Sequence, residues 1–182
     1  VSELSIPKPI SPYGASKLAC EGYLSAYSNS YDISSIIFRF GNVYGPFSSH
    51  KIGVINKFIR NAIESKKSDI YGSIETTRDY IHVNDIVKGL TLGIKYFENI
   101  NKKSEIFHLA NGEGITLKKI INEINSCSER PMQIDYKPYR KGEVKNNHSS
   151  FKYAEEVLGF SPDIKLNKGI KELYEWIIRN EY

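Results

Sequence analysis

SPYGASKLACEGYLSAYSNSYDISSIIFRFGNVYGP, residues 11–46, is the stretch that decides the fold of this chain. From Tyr13 to about Tyr31 its pattern is helical. Leu18, Tyr23 and Leu24 are expected on the buried side, with Ala15, Ala19 and Ala26 allowing close packing. SSIIFRF (Ser34–Phe40) then has the β-branched and aromatic content of a strand buried on both faces. GNVYGP (Gly41–Pro46) stops it with glycine and proline. A helix followed by a fully buried strand is a unit of a parallel α/β sheet.

The pattern continues outward. Residues 1–12 carry Pro7, Pro9 and Pro12 and read as an irregular lead-in. GVINKFIRNAIES (Gly53–Ser65) returns to helical period, with Val54, Phe58 and Ala62 on one stripe. DIYG ends a short strand at Gly72, and RDYIHV (Arg78–Val83) is another strand-like run. Asn84-Asp85 is the expected cap of the helix that follows to about Phe97. EIFHLA (Glu105–Ala110) is a strand, NGEG a turn, and Thr116 caps a helix to about Ser128. MQIDY (Met132–Tyr136) is a short strand, residues 137–150 a basic polar loop, and two helices near 151–158 and 167–180 close the chain.

Composition bounds the possibilities. A chain of 182 residues is long enough for one core, or for a larger domain cut through the middle. The net charge of +4 comes from scattered lysines, which argues against nucleic acid and leaves small anionic substrates open. Cys20 and Cys127 lie far apart without a CxxC motif and read as reduced thiols, which suggests a cytoplasmic setting. No apolar run reaches membrane-spanning length, and the opening residues have no secretory leader pattern. His50, His82, His108 and His148 show no metal-ligand spacing, so no metal is implied; His82 and His108 read as structural.

Tyr13 and Lys17 are four residues apart, so a helix places them on one face. An ammonium near a phenol favours the phenolate, and a phenolate can act as general base on a hydroxyl. With 13 tyrosines, roughly one such pair is expected by chance, so the spacing alone is weak.

Its surroundings are more specific. SPYGASKLACE, RFGNVYGP, TRDYIHVNDIV, FHLANGEGITL and YRKGEV occur in this order through nearly the whole chain. Together they resemble the extended short-chain dehydrogenase/reductases, specifically the NAD-dependent sugar-nucleotide epimerases and dehydratases. The resemblance implies the end of a Rossmann-type parallel sheet plus a smaller mixed α/β substrate-binding lobe. Residues 1–46 would be the C-terminal part of the NAD-binding domain. Residues 47–182 would be mainly the nucleotide-sugar lobe, with some segments returning to the first.

The resemblance also implies roles. Tyr13 matches the acid/base, and Lys17 the lysine that binds the nicotinamide ribose and tunes the tyrosine. Phe40 matches a position beside the nicotinamide. Asn42 matches a contact to the diphosphate, Gly53 and Val54 backbone contacts to the base, and Tyr71 an aromatic on the uracil. Arg78 and Arg140 match two arginines on the diphosphate, for which a guanidinium fork is suited. Glu143 stands where the family usually has an aspartate on the uridine ribose. Gly41 replaces a commonly bulkier residue, and Ser150 falls near a usual aspartate.

The leading expectation is epimerisation at C4 of a UDP-hexose through a 4-keto sugar. A nucleotide-sugar 4,6-dehydratase is the alternative, and a non-catalytic half that binds nucleotide sugar is a third. The glycine-rich dinucleotide fingerprint is not found in these residues. Together with Val1 as first residue, this suggests a chain that begins inside an enzyme, lacking roughly one domain. Such a chain alone is expected to be inactive, and to self-associate or need an N-terminal half. The intact enzyme is expected to be a homodimer, since the family commonly uses the tyrosine-bearing helix at its interface.

Overall fold

The computed structural model describes residues 1–98, 104–139 and 146–182. Helix α1 (Pro12–Tyr31) starts one residue ahead of the expected Tyr13 and ends at the expected Tyr31. Ser11 caps it by accepting from the Gly14 N–H at 3.1 Å, and Pro12 fills the first turn. Its C-terminal cap, Asp32, lies in the left-handed region, φ 56°.

The inner face of α1 is not the expected one. Tyr23 and Leu24 are exposed, and Ser28 is the buried residue of the helix. Its half-buried positions Gly14, Leu18 and Glu21 share a face with Ser28, so of the expected apolar residues only Leu18 lies on the covered stripe, among small and polar neighbours. Two polar contacts hold that stripe to the next strand, β1 (Ser35–Phe40). Glu21 forms a two-pronged ion pair with Arg39, at 2.6 and 2.8 Å, and the Ser28 and Ser35 hydroxyls meet at 2.9 Å. Residue type alone suggested an apolar contact, whereas these polar partners decide which side turns inward.

β1 runs parallel to β6 (Ser104–Leu109), with Ile37 opposite Ile106 and Phe40 opposite Leu109. Helix α3 (Val83–Phe97) lies over the pair through two glycines. A Cβ on Gly93 would collide with the Phe38 ring, and one on Gly89 with Leu109. Helix α5 (Lys152–Leu158) covers β6 through Tyr153, stacked on Phe107 at 5.3 Å. Phe107, Leu109, Ala154 and Phe160 are fully buried in this first core.

A second core joins α2 (Val54–Ile63), α4 (Leu117–Cys127) and α6 (Leu166–Glu181) to β3 (Lys67–Tyr71), which runs parallel to β8 (Gln133–Lys137). Phe58, Ile59, Ile70, Ile124, Leu173 and Ile177 are among its most buried side chains. Thr116 caps α4 as the sequence suggests, accepting from the Lys119 N–H at 3.1 Å.

Between the cores the chain changes partners at one peptide. Gly41 N–H donates to Leu109 O at 3.0 Å, continuing the β1–β6 pairing, while Asn42 N–H donates to Asp79 O at 2.6 Å. From there β2 (Asn42–Tyr44) runs parallel to β5 (Tyr80–His82). A side chain at Gly41 would press on Asp79, its Cβ lying 3.0 Å from Oδ1 and 3.1 Å from the carbonyl oxygen.

RDYIHV is not one strand. β4 (Thr77–Arg78) pairs antiparallel with β7 (Ile115–Thr116), and Asp79 separates it from β5. The buried Asp79 carboxylate accepts from the N–H groups of Asn111 (2.7 Å), Gly112 (3.0 Å) and Ser149 (3.2 Å). The cap of α3 also differs from expectation. His82 Nδ1 accepts from the Asn84 N–H at 3.3 Å, while Asp85 accepts from the distant N–H groups of Asp163 and Ile164 at 3.0 and 3.2 Å. Likewise Phe151 is the cap residue of α5, and the Ser150 hydroxyl accepts from Lys152 N–H at 3.3 Å.

Candidate functional site

The partner switch at Gly41 opens a cleft of about 1180 Å³ between the cores. Tyr13 and Lys17 reach it from the start of α1, and Phe40 from the last position of β1. Asn42 enters from β2, Gly53 and Val54 from the start of α2, and Arg78 from β4. Seven of the expected site residues therefore line one volume. Tyr71 is not among the lining residues. It ends β3, half-buried, opposite Lys137 of β8. Arg140 and Glu143 lie outside the described residues.

Tyr13 is 73% exposed, and the Lys17 ammonium stands 5.5 Å from the centre of its ring. Two other phenols line the cleft, Tyr44 and Tyr80, and both are buried. Burial, with the Asp85 carboxylate adding to it, pushes Tyr44 well up from the ordinary phenol range. Burial pushes Tyr80 up to about 12, against a smaller opposing pull from Arg78. Of these three phenols, Tyr13 is the exposed one and the one with an ammonium set over its ring.

The electrostatics favour an anion. Among the described lining residues Lys8, Lys17, Lys51 and Arg78 are cationic, while the carboxylate present, Glu21, is held by Arg39. Arg78 Nη1 donates to the carbonyl of Thr77 at 2.9 Å. The cap of α2, Gly53, offers no side-chain acceptor to the first N–H groups of that helix, leaving them to an external acceptor.

Sequence reading missed Asn56. It lines the cleft from the first turn of α2 and is 2% exposed. Its amide nitrogen donates to the Ser48 hydroxyl at 2.8 Å, and that hydroxyl donates to the Gly45 carbonyl at 2.6 Å. The signal was a polar residue between Ile55 and Phe58 on an otherwise apolar helix face.

Residues 1–173 match the family model described as GDP-mannose 4,6 dehydratase. The chain belongs to this family. It thereby joins the NAD-dependent epimerases and dehydratases of the extended short-chain dehydrogenase/reductases. Among curated relatives, a Methanocaldococcus jannaschii protein provisionally named UDP-glucose 4-epimerase is 34% identical over 175 residues, which are 94% of this chain and 55% of the relative. Among solved structures, the UDP-glucose 4-epimerase of Thermotoga maritima with UDP-glucose superimposes with a TM-score of 0.91 at 30% identity, over 100% of this chain and 58% of that one. MoeE5 in complex with UDP-glucose and NAD gives 0.91 at 29% identity, over 100% and 60%. The chain spans about half the length of the curated relatives it matches. The likeness to these Rossmann-type epimerases agrees with the α/β architecture described above. No helix among the described residues is long and apolar enough to cross a membrane.

Proposed function

We propose that the protein acts in NAD-dependent epimerisation at C4 of a UDP-hexose, with Tyr13 as acid/base. The observation that carries this reading is the convergence of Tyr13, Lys17, Phe40, Asn42, Gly53, Val54 and Arg78 on one cationic cleft. The relatives named for UDP-glucose epimerisation, and the neighbour bound to UDP-glucose and NAD, support the substrate and the cofactor.

The wall made by Tyr13, Lys17 and Phe40 suits the nicotinamide end of the cofactor. It offers an exposed phenol, an ammonium donor for ribose hydroxyls and a half-exposed aromatic ring. When bound, the nicotinamide supplies hydride chemistry at the sugar carbon. Tyr13 takes the proton of the sugar 4-hydroxyl as the 4-keto sugar forms, and returns it after the sugar has turned over. Lys17 holds positive charge beside the developing phenolate. Arg78 and the free N–H groups at the start of α2 hold the nucleotide diphosphate and base, with Asn42 adding a hydrogen bond. Tyr71, Arg140 and Glu143 belong to the same reading as contacts to uracil, diphosphate and ribose.

Residues 1–46, with β6 returning to pair with β1, form the cofactor side of this cleft. The remainder forms mainly the nucleotide-sugar side. The tyrosine-bearing helix is our proposed homodimer face in the intact enzyme. The second reading is a nucleotide-sugar 4,6-dehydratase, favoured by the description of the matching family model. The test is turnover of UDP-glucose and UDP-galactose by the protein as its native cell makes it, and by Tyr13→Phe. Interconversion that falls about 100- to 10,000-fold in the variant, with UDP binding retained, is expected. Release of a 4-keto-6-deoxy sugar would favour the dehydratase. Binding of UDP-sugar with no response to NAD would leave a binding protein.

A further inference from the structure

The loop of residues 47–53 leads into the cleft side of α2, and it is tied down from outside the cleft. Arg60, almost two turns along α2, reaches back to it. Its Nη2 donates to the Ser49 carbonyl at 3.0 Å and its Nη1 to that of Lys51 at 3.4 Å. The same guanidinium forks onto Glu181 in the last turn of α6, with Nε at 2.7 Å and Nη2 at 3.0 Å. One planar group thus joins the loop to the end of α6.

A second contact links the same partners. Phe47 holds a left-handed φ of 62°, a conformation disfavoured for a residue with a Cβ. Its ring lies against Trp176 of α6, the centroids 5.6 Å apart. The loop is further fixed by Lys51 N–H donating to Ser48 O at 2.9 Å and by the Asn56–Ser48 contacts. Lys51, Gly53 and Asn56 all line the cleft, so the position of this loop shapes the wall where α2 presents its free N–H groups.

We infer that Arg60, Glu181 and Trp176 form a brace that fixes residues 47–53, and that Arg60 is a positioning residue for nucleotide binding. The brace stands on the contacts alone, while its link to a nucleotide rests on the proposed function. Arg60 does not line the cleft, so it acts through the loop and not on the ligand.

Hydrogen exchange by mass spectrometry on wild type, Arg60→Met, Arg60→Lys and Glu181→Gln separates the two parts. Amides of residues 47–55 are expected to exchange about tenfold faster in Arg60→Met, as loss of a charge-assisted bond implies, with residues 120–124 of the core unchanged. Lysine can pair with Glu181 but cannot also serve both carbonyls, so Arg60→Lys should fall between. Glu181→Gln, which keeps a neutral acceptor, gives a milder variant should Arg60→Met fail to fold. Equal exchange in all four proteins would overturn the brace, as would acceleration spread uniformly through the core. UDP titration then reads the consequence, with binding about tenfold weaker expected in Arg60→Met and partly rescued in Arg60→Lys. Unchanged UDP affinity alongside a loosened loop would overturn the positioning role. Wild type that fails to bind UDP would overturn the nucleotide reading and leave the exchange result to judge the brace.

Discussion

Replacing Asp79 by asparagine should cost far more than an isosteric change suggests. The side chain is 3% exposed, and three backbone N–H groups point at it. Oδ1 serves Asn111, while Oδ2 serves Gly112 and Ser149. Asparagine keeps one acceptor oxygen and brings an NH2 group. If the oxygen takes the Oδ2 place, the NH2 faces the Asn111 N–H; in the other orientation it faces two donors. At least one buried donor therefore loses its acceptor, and the remaining bonds lose their charge. Hydrogen bonds to charged groups contribute about 1.5–3 kcal/mol, and an orphaned buried donor costs about 1–3 kcal/mol, so a loss of about 3–5 kcal/mol is expected. That is a large share of the roughly 5–15 kcal/mol that holds a domain together. Urea unfolding followed by the fluorescence of Trp176, the single tryptophan, measures it. Because the Asp79 carbonyl accepts from Asn42, the folded fraction should also bind UDP more weakly. A loss below about 1 kcal/mol would refute the argument that this carboxylate organises the junction.

Burial pushes the His82 and His108 imidazoles below their ordinary value of 6.5, against smaller opposing pulls from Glu172 and Asp85 on His82 and from Glu3 on His108. The unfolded chain therefore takes up protons first as pH falls, so this stability is complete above 6.5 and is lost progressively below it. Urea midpoints measured from pH 7 downward should decline, and less steeply in His82→Gln; equal slopes would refute the assignment to His82. Gly93→Ala should destabilise by about 1–3 kcal/mol, because the new methyl meets the Phe38 ring under α3, and a thermal melt would show it. Ile124→Ala, at a fully buried position in the second core, should cost about 2–5 kcal/mol in the same urea assay.

What could be read from the sequence was local. Thr116 acts within a few positions and caps α4 as read, and residues 35–40 form a strand as their types suggest, although Ile37 is its buried residue and Phe40 is half-exposed where burial on both faces was expected. The failures involve partners far along the chain. Asp85 resembles a cap in sequence but receives N–H groups 78 and 79 residues away, and an imidazole takes the capping role. The break at Asp79 is set by residues 32, 33 and 70 positions off. No local pattern announces such distances. Tyr23 and Leu24 were assigned inward by their apolarity, yet Glu21 and Ser28 hold the face that turns to β1. The cleft was better marked, because the motifs that hold Tyr13–Lys17, Phe40–Asn42 and Gly53–Val54 resemble those of a known family, whereas the Tyr13–Lys17 spacing alone was weak. Arg60 carries no such mark, since its partners are an adjoining loop and the far end of the chain.

The pairing of β1 with β6 also governs how this protein can be born. Ser35 and its partner Ser104 are 69 positions apart, and the parallel arrangement offers β1 no local hairpin in which to wait. At roughly 5–20 residues per second, a ribosome delivers β6 several seconds after β1 has emerged. Throughout that interval Ile36, Ile37 and Phe38 lack the strand that later pairs with them. Newly made copies on one messenger then stand close together with the edge that β6 will fill still open. Slower translation lengthens that window, so yield of the native protein is tied to elongation speed and to the supply of holding chaperones.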